Sequence, residues 1–333
     1  MSSMNLYVKK AMFPINRCVK KSFKMNWNQA LKEYENYLSL ERALSSHSLE
    51  AYKHDVVMLQ QFVALKGYDV NPAEVKPFVI EQLLIWLSEL GLAAASQARI
   101  LSGLKGFYKF LFIESYILED PTHLLVGPKM NRHLPDTLDL EEIELILKQI
   151  DLSNLLGGRN RAIIELLYAS GMRVSELTNL RISCLFLEIG YVRVIGKGDK
   201  ERLIPVSEDA IRFLQLYLAH IRPHLPIKKG FEDIVFLNRR GAGLSRVMIF
   251  LIVKELAAMA GIEKSVSPHT FRHSFATHLL EGGADLMVVK DLLGHESITT
   301  TELYTHLDIE HLRKAILRFH PRNQNQRVLG ANE

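Results

Sequence analysis

Residues 119–138 constrain this chain more than any other stretch. Asp120-Pro121, Gly127-Pro128 and Pro135-Asp136 place three prolines in a segment with no sustained apolar period. Proline lacks an amide donor and pushes the residue before it out of helical backbone, so neither a helix nor a sheet interior runs through such a segment. The spacing predicts a linker between two separately folded bodies. Length agrees: 333 residues, 48% of them hydrophobic, exceed what one core organises and suit two domains of about 100–200 residues each. At 23% charged residues the chain lacks the signature of disorder. No run of about 18 apolar residues offers a membrane-spanning helix.

The two sides of the linker carry different patterns. From Met25 to about residue 115 there are four helical rhythms and no strand pattern. Leu49, Tyr52, Val56, Leu59 and Val63 recur at helical spacing behind Ser45 or Ser46 as N-cap, and Ile100, Leu104, Phe107 and Leu111 repeat the rhythm. Lys105 and Lys109 stand four apart beside that second stripe, placed either to meet DNA phosphates or to form a solvated basic face. After the linker come helical stretches near 139–150 and 159–170. Two β-rich runs, 191–195 and 202–205, then flank Gly196-Lys197-Gly198-Asp199-Lys200 and predict a hairpin. Helices return from residue 207 to 320, interrupted by a short apolar run at 234–237. The expected fold is mainly α with a small β-sheet or hairpin.

Net charge alone says little about partners. Of 41 Lys and Arg, six fall within residues 1–24, where there is no acid, so the remaining 35 face all 37 Asp and Glu and the formal +4 becomes −2. Nucleic-acid binding must then rest on local groups. Met25, just before the first helical rhythm, is an alternative start, which leaves open whether residues 1–24 are native. Cys18 and Cys184 lie far apart with no CxxC or metal-ligand spacing, which excludes a disulfide framework. The basic start lacks the continuous apolar core and cleavage site of a secretory signal, so a cytoplasmic location is expected.

Candidate chemistry gathers near the C-terminus. In Ser267-Pro268-His269-Thr270-Phe271-Arg272-His273 the Ser-Pro pair marks a helix start, and His269 and Arg272, three apart, share a face and converge on one anion. Leu293-Gly294-His295 follows, with Tyr304 nine residues beyond that histidine. Upstream, Arg173 lies just past a helix-ending Gly171, and Glu176 three residues on is either a partner of Arg173 or a surface acid. "GKGDK" lacks the spacing of a phosphate-binding P-loop, and His269, His273 and His278 have no accompanying HExxH glutamate or cysteine cluster, so neither nucleotide nor metal binding is expected.

The blocks "LLYASGMRVSELTNLR", "VIGKGDKERLIPV", "SPHTFRHSFATHLLEGGADLMVVKDLLGHESITTTELYTH" and the closing "HPR" resemble those of the tyrosine recombinases, above all the Xer-type and phage-integrase-like members. The resemblance covers residues 26 to about 322. It implies a two-domain clamp on duplex DNA, with a helical SAM-like core-binding domain at 26–118, a linker at 119–138 and a catalytic domain at 139–322; a basic extension at 1–25 and a tail at 323–333 lie outside it. It implies Arg173, Lys197, His269, Arg272, His295 and Tyr304 as the catalytic set.

In that implied chemistry Tyr304 attacks a DNA phosphate and becomes 3′-phosphotyrosine. Arg173 and Arg272 hold the non-bridging oxygens, since charge spreads over them in the pentacoordinate state. A tyrosine hydroxyl with an ordinary pKa of about 10 needs a proton acceptor, for which His269 is the candidate. Lys197 protonates the leaving 5′-oxygen and His295 binds the phosphate. No metal, ATP or other cofactor is implied. The expected partners are double-stranded DNA, a homo- or hetero-tetramer with a second recombinase on two sites, and a DNA translocase as activator, in resolving chromosome dimers at cell division. In such an assembly the stripe Ile309, Leu312, Ile316 and Phe319 docks on a neighbouring protomer; by itself it equally fits covering its own core. Other readings are an integrase or invertase of a mobile element, a type IB topoisomerase, and a non-catalytic DNA-binding protein, the last having no need of Tyr304.

Overall fold

The computed structural model describes residues 25–129, 136–154, 156–196, 201–294 and 306–321, and the chain divides between His133 and Leu134 into two compact units. The described residues of the first unit form helices joined by turns, with no strand among them. Helix α1 (Trp27–Asn36) starts at Asn26, whose side chain accepts from Gln29 N at 2.9 Å while Gln29 Oε1 accepts from Asn26 N at 3.3 Å. This reciprocal cap satisfies two amides that the helix itself leaves free. A π-helical turn (Tyr37–Glu41) follows, then α2 (Ser46–Leu65), α3 (Pro77–Glu89) and α4 (Ala94–Ile113). Ser45 is the cap of α2, accepting from Ser48 N.

The apolar rhythms read from the sequence become the core of this unit. Val56, Leu59 and Val63 of α2 and Ile100, Leu104, Phe107 and Leu111 of α4 are buried together with Ile80 and Leu83 of α3, and the Phe107 ring meets Tyr34 edge-on at 5.2 Å between centroids. Asp55 of α2 is 1% exposed and is paired with Arg99 of α4, so its burial is tolerated by a guanidinium fork. The fork fits because residue 103 is glycine: a Cβ there would collide with the Asp55 carboxylate.

The second unit is built around a helix buried on nearly every side. Helix α5 (Leu140–Lys148), capped by Asp139 and Glu142, leads to α6 (Gly157–Ser170), in which Ala162, Ile163, Ile164, Leu166 and Leu167 are all inaccessible. Its buried polar side chains are satisfied inside the fold: Arg159 Nη1 donates to Leu237 O at 3.0 Å, and Glu165 pairs with Arg161. The short α7 (Val174–Thr178) precedes a three-stranded antiparallel sheet of β1 (Leu185–Phe186), β2 (Tyr191–Ile195) and β3 (Glu201–Pro205) in that spatial order. Val192 is the partner of Leu185 on one side and Ile204 on the other. The predicted hairpin is present as β2 and β3, with β1 added at its edge.

Helices α8 (Glu208–His220), α9 (Arg246–Met259), α10 (Pro268–Glu281), α11 (Leu286–Leu293) and α12 (His306–Phe319) complete the unit. Between α8 and α9 the apolar residues Val235, Phe236 and Leu237 are fully buried, held by single bridges and by Val235 N donating to Leu180 O at 2.9 Å. A separate apolar cluster joins α10, α11 and α12 through Phe275, Leu279, Val289, Leu292, Leu312 and Ile316. Leu312, Ile316 and Phe319 of the α12 stripe thus cover a core of their own chain, and the Ile309 side chain lies outside the described residues. Among the described residues no helix is long and apolar enough to cross a membrane.

Candidate active site

Helix α6 ends at Gly171, whose left-handed backbone (φ 56°) stops the helix and turns the chain outward. Only glycine fits, because a Cβ there would strike the Phe275 ring. Two residues on, Arg173 has extended backbone and opens α7, with its amide donating to Glu176 Oε2 at 2.7 Å and its Nη1 to Glu176 Oε1 at 3.0 Å. The turn of α7 therefore aims the guanidinium and the carboxylate at each other.

Arg272 reaches the same place from α10, which starts at Ser267 and Pro268 as the sequence predicts. Its Nη1 donates to Gly171 O at 2.7 Å and its Nη2 to Leu293 O at 2.6 Å. Arg173 Nη2 donates to the next carbonyl, Gly294 O, at 3.0 Å, and Arg202 Nε to Leu292 O at 3.3 Å. Three guanidinium groups thus converge on the last carbonyls of α11, the end of a helix where partial negative charge collects. Gly294 closes that helix in left-handed backbone (φ 63°), and a Cβ on it would stand 3.0 Å from Arg202 Nη1.

The charge in this cluster is unbalanced. Glu176, only 4% exposed, is the one carboxylate among the three arginines in these contacts. Burial would push its carboxyl up, but the hydrogen bonds and charge of Arg202, then those of Arg173, hold it below the usual range. Arg272 is pulled down to about 10 by burial and by the nearby Arg173 and Arg202 charges, only partly offset by Glu176. It stays cationic at neutral pH. Two half-buried guanidinium groups with this surplus of positive charge have the chemistry to receive an oxyanion such as phosphate.

The other sequence candidates fall in different settings. His269 is exposed on the first turn of α10, three residues before Arg272. His273 is exposed, whereas His278 sits with its Nδ1 2.8 Å from the Tyr168 hydroxyl. In the first unit Lys105 donates to Leu125 O at 2.8 Å, while Lys109 is exposed. Lys197, His295 and Tyr304 lie outside the described residues. Among the described residues no group of three or more His, Cys, Asp or Glu side chains gathers as a metal site.

Glu176 is buried and engages Arg173, which resolves the two readings the sequence left open. Arg202 was missed. Its signal was available in β3, where Arg202 and Ile204 alternate inward while Glu201 faces solvent; an arginine at an inward strand position requires a buried acid.

Comparison with known proteins agrees with this geometry. Residues 136–311 match the model described as the phage integrase family, and residues 31–115 match the phage integrase N-terminal SAM-like domain. The chain is 42% identical to tyrosine recombinase XerD of Staphylococcus aureus over 293 residues, covering 88% of this chain and 98% of that protein. Among solved structures it resembles XerH site-specific recombinase bound to a palindromic difH substrate, at 25% identity with TM-score 0.65, covering 88% of this chain and 84% of the other. A lambda integrase tetramer bound to a Holliday junction has the same fold, at 20% identity with TM-score 0.64, covering 83% and 80%. By these matches the chain belongs to the phage integrase family, among its tyrosine recombinases.

Proposed function

We propose that this Xer-type site-specific recombinase acts in the cytoplasm on double-stranded DNA and resolves chromosome dimers at cell division. Residues 26–118 serve as the core-binding domain, 119–138 as the linker and 139–322 as the catalytic domain. The reading is supported above all by the convergence of Arg173 and Arg272 on the end of α11, with Glu176 bonded to Arg173 and Arg202 and a surplus of positive charge around it.

The chemistry follows from that surplus. Arg173 and Arg272 bind the non-bridging oxygens of the scissile phosphate, and His295 adds a third contact. The Tyr304 hydroxyl attacks phosphorus and passes its proton to His269. The bond from phosphorus to the 5′-oxygen breaks, Lys197 protonates that oxygen, and the chain is left joined to DNA as 3′-phosphotyrosine. A 5′-hydroxyl from a second strand reverses the step, so bond energy is conserved and neither ATP nor metal is consumed. Lys109, exposed on α4, contacts phosphates outside the cleavage point; Lys105 contributes less there because its amine is held by Leu125 O.

The relatives in complexes with DNA, one of them a tetramer on a Holliday junction, support assembly of four protomers on two sites, with a second recombinase and a DNA translocase as the partners that set timing. A nicked suicide duplex tests the chemistry: the wild type forms a covalent adduct and Tyr304→Phe binds the duplex without forming one. An adduct with Tyr304→Phe would refute Tyr304 as nucleophile. Sequencing the DNA ends trapped in cells tests the role, because a single chromosomal terminus site is expected and ends of a mobile element would overturn the chromosomal assignment.

A further inference from the structure

Arg202 lies on β3, five residues past Lys197 in the sequence, and its side chain is 7% exposed. It is too deeply placed to meet DNA. Its Nη1 and Nη2 donate to Glu176 Oε1 and Oε2 at 2.7 and 2.8 Å, and its Nε donates to Leu292 O at 3.3 Å. The Glu176 carboxylate therefore has four donors: two from Arg202, with Arg173 Nη1 on Oε1 and Arg173 N on Oε2. A carboxylate accepting four hydrogen bonds has no freedom to rotate.

The charge arithmetic gives this fork a consequence for Arg173. Arg173 is 33% exposed on its side chain, so it faces the oxyanion receptor, and Glu176 at its back is a countercharge that would cancel it. Arg202 supplies the buried cation that neutralises Glu176 from the other side. With Arg202 present the four groups Arg173, Arg202, Arg272 and Glu176 carry two net positive charges; without it they carry one, and Glu176 pairs with Arg173 alone. The same guanidinium packs so close to Gly294 that a Cβ there would stand 3.0 Å from its Nη1, and its Nε ties Leu292 O, so it also fixes the end of α11.

We infer that Arg202 is a positioning residue for strand cleavage: it neutralises and orients Glu176 so that the charge of Arg173 remains directed at the scissile phosphate, and it anchors the end of α11 that leads to His295 and Tyr304. This rests on the recombinase reading of the site. It differs from a structural role because it predicts a defect that depends on the charge of the substrate.

The test is single-turnover formation of the covalent adduct by the full chain on nicked suicide duplexes, one with an ordinary scissile phosphate and one with a methylphosphonate, in which a neutral methyl replaces a charged non-bridging oxygen. The wild type must form the adduct on the ordinary phosphate; if it does not, the recombinase reading itself fails and the role of Arg202 falls with it. Given that adduct, Arg202→Met is expected to slow cleavage of the phosphate by about tenfold or more, with DNA affinity in a gel shift unchanged within about twofold. On the methylphosphonate the gap between variant and wild type should close to roughly threefold or less, because less charge develops for Arg173 to meet. Arg202→Lys keeps the charge but loses the fork; it replaces Arg202→Met if that variant does not fold, and should show a smaller defect, also relieved on the methylphosphonate. Equal slowing on both substrates, or no slowing on the phosphate, overturns the inference.

Discussion

Gly171 and Gly261 share left-handed backbone, with φ of 56° and 71°, but not surroundings: a Cβ at Gly171 would strike the Phe275 ring, whereas nothing lies within 4 Å of one at Gly261. The backbone penalty alone is about 1 kcal/mol for alanine at either position. At Gly171 overpacking against a fully buried ring adds roughly 1–3 kcal/mol. Gly171→Ala should therefore destabilise the second unit clearly more than Gly261→Ala in chemical denaturation, and equal losses would show that Phe275 yields freely. A functional cost should accompany the loss, since Gly171 O is the acceptor for Arg272 Nη1 and any shift of that carbonyl moves the guanidinium.

At the scale of elements, α12 is held to α6 and α10 by a polar and aromatic lock as well as by Leu312 and Ile316. The His320 ring lies 4.7 Å from the Tyr168 ring and 5.8 Å from Phe275, and the Tyr168 hydroxyl is 2.8 Å from His278 Nδ1. Burial lowers the His278 pKa from 6.5, outweighing the opposing pull of Glu281 and Asp139 and a hydrogen bond to the Leu138 backbone. A base whose folded pKa is depressed binds fewer protons than in the unfolded chain once pH drops below 6.5. This contribution is thus fully present above 6.5 and is lost as pH falls through the folded value. Urea unfolding on both sides of that pH should show a steeper acid loss for wild type than for His278→Asn, and parallel curves would remove His278 as the cause. Ile316→Ala, which opens a hole in the same cluster, should cost about 2–5 kcal/mol and raise amide exchange in α12 before that in α6.

These elements also mark where sequence reading works. The helices α2 and α4 were readable because their burial follows a period, the pair β2 and β3 because two β-rich runs flank a Gly-containing segment, and α10 because Ser267-Pro268 marks its start. β1 was not, since a strand of two residues, Leu185 and Phe186, owes its pairing to β2 and has no period of its own. Arg173 and Arg272 were readable as isolated arginines beside a glycine and a helix start. Their meeting at the carbonyls of Leu293 and Gly294 was not, because contacts 21 and 121 residues apart along the chain leave no trace in local spacing. Arg202 was half legible: its place beside Ile204 on the inward side of a β-rich run points to a buried acid, but which acid, Glu176, 26 residues away, leaves no trace in local spacing.

At the scale of the whole molecule, each unit has an apolar core of its own, and the formal charge is concentrated elsewhere. Residues 1–24 carry six basic groups and no acid, so removing them turns +4 into −2 without touching any of Arg173, Lys197, His269, Arg272, His295 or Tyr304. Counterion release then separates binding from chemistry. Each basic group that neutralises a phosphate adds about 0.9 to the slope of log affinity against log salt, so six such contacts correspond to a slope shallower by up to about 5 after removal. The truncated chain should bind non-specific duplex more weakly and with less salt dependence, while its single-turnover cleavage rate at saturating DNA stays that of the full chain. Fluorescence anisotropy across a salt series and adduct formation on the suicide duplex measure the two halves independently. A slower cleavage step at saturation would mean that the basic segment acts in the chemistry and not only in capture, whereas an unchanged salt slope would assign capture to local groups such as Lys109 in the first unit and Arg173 and Arg272 in the second.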